Sequence, residues 1–75
     1  MQKWEYLEVR CTWFGPNLLP QFVNGQELKD WKKGAGVYAY MDTLGNEGWE
    51  LASTAYTTGN VGGNAYVLTF KRTKA

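Results

Sequence analysis

The sequence predicts a small α+β domain: a three-stranded, mainly antiparallel sheet with one helix on one face, in a split β-α-β arrangement closed by a hairpin. Three features predict this fold class. The chain opens with a long segment in which apolar and polar residues alternate, and it closes with two more such segments. Between them, apolar residues recur at helical spacing. With 75 residues, the chain is expected to form one domain over residues 1–75.

The first strand is predicted in the segment KWEYLEVRCTW. Alternate residues of a strand point to opposite faces of its sheet. The odd positions from Leu7 to Trp13 are the more apolar set and are expected to face the core. The even positions, led by Trp4 and Tyr6, then form an amphipathic opposite face. A bulge near Tyr6 would instead turn Trp4 toward the core, and the pattern leaves that alternative open.

The segment between the first strand and the helix contains turn signals. GPNLLP holds one glycine and two prolines, which predicts a loop. The Asn24-Gly25 pair that follows is typical of a two-residue hairpin turn. We therefore expect a small extra hairpin or loop excursion here, and not a core strand.

The helix is predicted by apolar residues at positions i, i+3, i+4 and i+7, which are Val37, Tyr40, Met41 and Leu44. It is expected to run from about Gly36 to about Glu47, with Gly48 as the left-handed residue that ends it. Gly45 lies in the last turn, where its missing side chain is expected to allow a close approach to the sheet.

The last two strands are predicted in WELASTAYT and AYVLTFKR, joined by a hairpin loop in the glycine-rich segment TGNVGGN. The final strand is expected between the other two and antiparallel to both. In WELASTAYT, Leu51 is assigned to the core face and Tyr56 to the opposite face. The predicted core comprises Leu7, Val9, Cys11, Val37, Tyr40, Met41, Leu44, Trp49, Leu51, Tyr66, Leu68 and Phe70.

The composition narrows the classes of function. A net charge of +1 gives no strong basic patch, so duplex nucleic acid is not an expected partner. Histidine is absent and Cys11 is the one cysteine, so no common zinc site and no internal disulfide are expected. The N-terminal segment does not resemble a signal peptide, and no apolar run reaches the roughly 20 residues of a membrane span. We expect a cytoplasmic protein without a cofactor or a membrane partner.

The segment LGNEGWELAS raises the question of a cofactor-binding glycine loop. Phosphate-binding glycine loops follow a strand and open a helix, where backbone N–H groups point at the anion. Here the two glycines come at the end of the predicted helix, where the helix dipole repels anions. We therefore interpret them as the junction between the helix and the next strand.

The KWEY opening and the LGNEGWEL segment together resemble the signature of a family of short bacterial and phage proteins of unknown function. In that family, a Lys-Trp-Glu-Tyr opening precedes a helix that ends in LNxLGxEGWEL and a closing hairpin. The segment MDTLGNEGWEL departs from this pattern by Asp-Thr before Leu-Gly. The resemblance implies the same fold. It implies no catalytic residue and no ligand.

The candidate sites are aromatic surfaces, because no catalytic set is evident. The seven carboxylates form no close pair in the sequence, and Cys11 has no histidine to activate it. We therefore expect no enzymatic activity. One surface is the sheet face opposite the helix and the other lies in the loop region beside Lys32 and Lys33. The candidate residues are Trp4, Tyr6, Arg10, Tyr56 and Lys71 on the first surface and Trp13, Phe14 and Trp31 on the second.

These surfaces predict a homo-oligomeric binding or interaction module, a dimer or larger, because large exposed apolar patches on small proteins mark interfaces. The alternative is a protein that binds or sequesters a nucleotide or nucleotide signal in an aromatic and basic pocket at a subunit boundary. Aromatic rings would stack on the base, and Arg10, Lys71 and Arg72 would contact phosphates. A phage protein that sequesters a host nucleotide signal would fit this size. The loop cluster is either a small local core or the rim of such a pocket.

Overall fold

The computed structural model describes residues 2–57 and 65–74. The described chain forms one antiparallel sheet in the order β3-β2-β1-β5-β4, a short 3₁₀ helix and one α-helix. The segment TGNVGGN, predicted to be a hairpin loop, lies outside the described residues. The elements are β1 Trp4–Phe14, β2 Asn17–Val23, β3 Gln26–Glu27, the 3₁₀ helix Trp31–Lys33, α1 Val37–Asn46, β4 Glu50–Thr57 and β5 Ala65–Thr73.

The prediction of three strands is wrong, because the sheet has five. The predicted position of the final strand is confirmed, since β5 lies between β1 and β4 and is antiparallel to both. The two additional strands come from the segment predicted to be a small hairpin or loop excursion and not a core strand. There β2 pairs with β1 along its length and contributes the buried Leu19, so it is a core strand.

A proline within β2 is compatible with the sheet for two structural reasons. Pro20 pairs with Cys11, next to a bulge between β1 and β2. On its other side, β3 pairs only with Phe22 and Val23, so Pro20 has no neighbouring strand that needs its missing N–H. The hairpin predicted at Asn24-Gly25 is confirmed, and both residues have positive φ, 50° and 83°, as a type I′ turn requires.

The pairing of β1 with β5 fixes the two faces of the sheet. Its register is continuous from Trp4↔Thr73 to Thr12↔Ala65, so the alternative of a bulge near Tyr6 is wrong. The odd positions of β1 face α1, on what we call the inner face, and the even positions lie on the outer face. The buried cluster on the inner face consists of Val9, Cys11, Leu44, Leu68 and Phe70. The odd positions therefore form the core face, as predicted.

A bulge in β4 overturns the predicted faces of that strand. The register with β5 shifts between Leu51 and Ser53, so Ala52 has no partner on β5. After the shift, Thr54 pairs with Leu68 and Tyr56 with Tyr66, and both lie on the inner face. The assignment of Tyr56 to the outer face is therefore wrong. Leu51 retains 41% of its exposed surface and is not part of the core, contrary to the prediction.

The end of α1 is a Schellman motif. Trp49 donates its N–H to the carbonyl oxygen of Leu44, and Gly48 donates to that of Gly45, each at 3.0 Å. Gly48 has φ +90°, which confirms its predicted role as the left-handed residue. The predicted close approach at Gly45 is wrong, because a β-carbon there would have nothing within 4 Å. Among residues 2–57 and 65–74, no helix combines the length and apolar character that crossing a membrane requires.

Candidate binding surfaces

The outer face carries the first candidate surface. Because α1 packs on the inner face, the side chains of Trp4 and Tyr6 point away from the only described α-helix. The exposed fraction of the residue surface is 40% for Trp4 and 62% for Tyr6. The ammonium Nζ of Lys71 lies 4.6 Å from the ring centroid of Trp4, which is the geometry of a cation–π contact. The structure therefore brings together three of the predicted residues, and Lys71 occupies one side of the indole.

Arg10 lines a concavity on the same face, and we call this concavity the Arg10 pocket. Arg10 is half-buried, and its guanidinium makes no hydrogen bond or ion pair with any other described residue. Phe22 lies directly opposite it on β2. The pocket has a volume of about 670 Å³ and is lined by Glu8, Arg10, Thr12, Gln21, Phe22, Gly25 and Ala65. Sequence reasoning missed Phe22 and Gln21 because their segment was expected to form a small hairpin or loop excursion and not a strand of the main sheet.

The predicted loop cluster is divided between the two faces. Phe14 and Trp31 meet edge to face with ring centroids 5.9 Å apart, and Nζ of Lys32 lies within 6 Å of both rings. Trp13 instead meets Tyr66 on the inner face, at 6.4 Å. The Phe14–Trp31 contact therefore forms a small local aromatic cluster in which Phe14 remains exposed.

The inner face has an exposed apolar groove between α1 and β4, which we call the inner groove. Tyr56 adjoins this region and packs against Tyr66, with ring centroids 4.8 Å apart. The groove exists because the ten residues of α1 leave the β4 side of the inner face open. Its volume is about 220 Å³, and it is lined by Leu18, Val37, Tyr38, Met41, Leu51, Thr54, Tyr66 and Leu68.

Arg72 is committed to the structure of the domain. Its Nε forms an ion pair with Glu5 at 2.8 Å, and its Nη1 donates to the carbonyl oxygen of Glu47, also at 2.8 Å. The guanidinium lies 4.2 Å from the ring centroid of Trp49. With these three contacts, Arg72 fastens the end of α1 to the sheet. It is therefore not positioned with Arg10 and Lys71 as a phosphate ligand.

The reactive groups of the described chain are separated or buried. Cys11 is fully buried, and this burial raises the pKa of its thiol from 9.0 to about 11, which favours the unreactive neutral form. Glu5 lies on the inner face with Arg72, whereas Glu50 pairs with Lys71 on the outer face. These two carboxylates therefore cannot act as a pair.

The geometry thus provides three surfaces that could contact another molecule: the aromatic outer face, the Arg10 pocket within it and the inner groove beside β4. Most of the side chains that line them are exposed or half-buried, but the Arg10 pocket also includes the buried Ala65 and the inner groove the buried Leu68. No family model matches this chain, and no curated protein or solved structure shows significant similarity to it.

Proposed function

We propose that this protein is a homo-oligomeric binding module without catalytic activity, and that its outer face is the interface between subunits. The observation that carries the proposal is the exposure of Trp4 and Tyr6 on a sheet face that α1 does not cover. Adjacent exposed aromatics on a small domain are typical of interfaces, where Trp and Tyr provide much of the binding energy.

The size of the domain supports self-association. A chain of 75 residues buries only about 60% of the surface that its unfolded form exposes, so a single core stabilises it weakly. Cys11 is the one cysteine, so no internal disulfide can compensate. Covering the outer face of one subunit with that of another would add apolar burial at the place where the monomer lacks it.

The charges of the outer face are compatible with a symmetric interface. A two-fold interface brings the same patch of both subunits together, so a patch of one sign would repel itself. Here Glu8 and Arg10 are neighbours of opposite charge on the outer face of β1, and Glu50 of β4 lies opposite Lys71 of β5. Both signs are present on the face, and two copies can therefore be arranged without opposing like charges.

The test is the effect of Trp4→Ala on assembly and stability. We expect light scattering at micromolar concentration to show an oligomer for the wild type and a smaller species for Trp4→Ala. Loss of a buried aromatic anchor should also lower the free energy of unfolding by roughly 2–4 kcal/mol. Both effects share one cause, so they should appear together.

Trp13→Ala is the matched control. Trp13 is exposed to a similar degree, 49% against 40%, but lies on the inner face against Tyr66. This variant should retain the oligomer. A wild-type monomer of 8.5 kDa, or an unchanged oligomer and melting temperature for Trp4→Ala, would refute the interface.

The Arg10 pocket favours a second candidate function, the binding of a nucleotide. It combines the guanidinium of Arg10, which has no partner among the described residues and can contact a phosphate through two N–H groups, with the ring of Phe22. Its volume of about 670 Å³ is in the range of small-molecule sites. If two outer faces meet, the pocket lies at a subunit boundary.

A thermal-shift and calorimetry screen of mono-, di- and cyclic nucleotides tests this candidate. Arg10→Ala should weaken binding about 10- to 100-fold, since a hydrogen bond to a charged group contributes roughly 1.5–3 kcal/mol. The binding should also weaken with added salt. Lys32→Ala, which removes a cation outside the pocket, should bind normally. The absence of any shift in the wild type would exclude the candidate.

A further inference from the structure

We propose that the free edge of β4 pairs with β4 of a second copy of this chain, antiparallel and with the two-fold axis at Ala55. This pairing would join two five-stranded sheets into one sheet of ten strands. It uses a surface other than the outer face and does not depend on the function proposed above. The occupant follows from three properties of β4: its open edge, the absence of charge after Glu50 and the regular run of five residues centred on Ala55.

The edge of β4 is long and open. Among the strands that the structure describes, it is the outermost one and pairs with β5 on one side only. All its residues from Glu50 to Tyr56 are exposed. The backbone N–H and C=O groups along the other side of such a strand are a template for another strand. The opposite edge differs, because β3 has only two residues.

The sequence of β4 lacks most of the features that protect natural sheet edges. Lysines, prolines, inward-pointing charges and bulges normally discourage pairing between edges. The strand ELASTAYT contains no lysine and no proline, and its only charged residue is Glu50 at its start. Its one bulge is at Ala52, so Ser53–Thr57 forms a regular run in continuous register with β5.

The register of the proposed pair follows from the extent of this run, because an axis at its centre, Ala55, pairs all five of its residues. Directly opposite residues of an antiparallel pair point to the same face. With the axis at Ala55, Thr54 lies opposite Tyr56 of the second copy, and both belong to the inner face. Ser53 then lies opposite position 57 of the second copy. No charged residue is brought against another.

This register also fills the inner groove. Opposite residues have Cβ atoms about 4.5–5.5 Å apart, so Tyr56 of the second copy would lie over Thr54. Thr54 lines the groove beside the exposed Leu51 and Tyr38. Tyr56 itself retains 50% of its exposed surface. The pairing would therefore cover apolar side chains of both copies. It would also provide hydrogen-bond partners for the backbone N–H and C=O groups along the free edge of β4.

Disulfide trapping tests the register directly. Ala55→Cys places two thiols opposite each other at the two-fold axis, close enough for a disulfide to form. Ser53→Cys is the matched control, because it is on the same strand and face. Its two thiols would be offset by four residues, about 13 Å along the strand. Under mild oxidation at micromolar concentration, we expect a covalent dimer of the Ala55→Cys chain only. Cys11 is buried and serves as the wild-type background.

Two further measurements separate this proposal from the outer-face interface. Trp4→Ala combined with Ala55→Cys should still form the covalent dimer, even if Trp4→Ala dissolves the outer-face assembly. Amide hydrogen exchange over Ser53–Thr57 should slow as the concentration of the wild type rises, because pairing protects edge amides. Equal trapping of Ser53→Cys, or exchange in this run that does not change with concentration, would overturn the proposal.

Discussion

Arg72 shows how much one side chain can contribute to so small a domain. It joins the beginning of β1, through Glu5, to the end of α1, through the carbonyl oxygen of Glu47. The ion pair is about one-third exposed on both sides and is therefore weak by itself. The hydrogen bond to the carbonyl oxygen and the contact with the Trp49 ring add to it.

We expect Arg72→Ala to lower the free energy of unfolding by about 1–3 kcal/mol, the sum of these exposed contacts. Arg72→Lys should recover less than half, because an ammonium lacks the planar fork that reaches both oxygens. Glu5→Gln removes only the charge of the partner and should cost less than about 1 kcal/mol. Urea denaturation of the three variants measures these values. An equal loss for Glu5→Gln and Arg72→Ala would show that the ion pair dominates.

Arg10 and Arg72 mark a limit of prediction from sequence at this scale. Both are arginines on strands, and both were grouped as candidate phosphate ligands. Their different roles depend on partners distant in the sequence: Arg72 reaches Glu5, 67 positions away, whereas Arg10 has no described partner. Cys11 was predictable, because its alternation with Val9 places it on the apolar face.

At the scale of elements, the ends of α1 were predictable because they depend on local chemistry. A glycine that ends a helix needs positive φ, a conformation that disfavours any side chain. The bulge in β4 was not predictable, because the residues around Ala52 include no glycine or other local signal of a bulge. Because the bulge was not predicted, Tyr56 was assigned to the wrong face of the sheet. Likewise, Pro20 suggested a loop, since the open edge that tolerates a proline is a property of the sheet and not of the segment.

The two glycines near the end of α1 provide a paired prediction. Gly48→Ala should lower the free energy of unfolding by about 1–2 kcal/mol, because φ +90° is strained for any residue with a β-carbon. Gly45→Ala should raise it by up to about 1 kcal/mol, because Gly45 lies inside the helix with open space around its α-carbon. Thermal or urea denaturation measures both changes. Equal effects of the same sign would contradict the assignment of the helix end.

For the whole molecule, the order of β1, β5 and β4 and the position of the core could be predicted, because the alternation in three strands and the helical stripe agree on one buried face. The number of strands could not, because β2 and β3 join the sheet through pairing with β1 and not through a strong pattern of their own. The candidate surfaces followed the same division. The structure places Trp4, Tyr6 and Lys71 together on the outer face, whereas the Arg10 pocket and the inner groove depend on β2 and on the bulge.

The two proposed interfaces together would give an assembly larger than a dimer. One uses the outer face and the other uses the β4 edge, so each subunit could have two neighbours at once. Two different two-fold axes on one subunit generate a closed tetramer when they are perpendicular and intersect. The Trp4→Ala variant would then be reduced to the edge-paired dimer, and the mass from light scattering distinguishes this from complete dissociation.

The central position of β5 has a consequence for synthesis on the ribosome. β1 and β4 each pair with β5 and not with one another, although β5 is the last of the five strands in chain order. While translation proceeds, β1, β2 and β3 can pair with one another. The five-stranded sheet cannot be completed until β5, Ala65–Thr73, has emerged. Until then Val9 and its apolar neighbours lack their partners on β5. Once β1 has emerged, the nascent chain therefore presents an apolar strand face until β5 follows, and we expect chaperones that shield such segments to bind it during that interval.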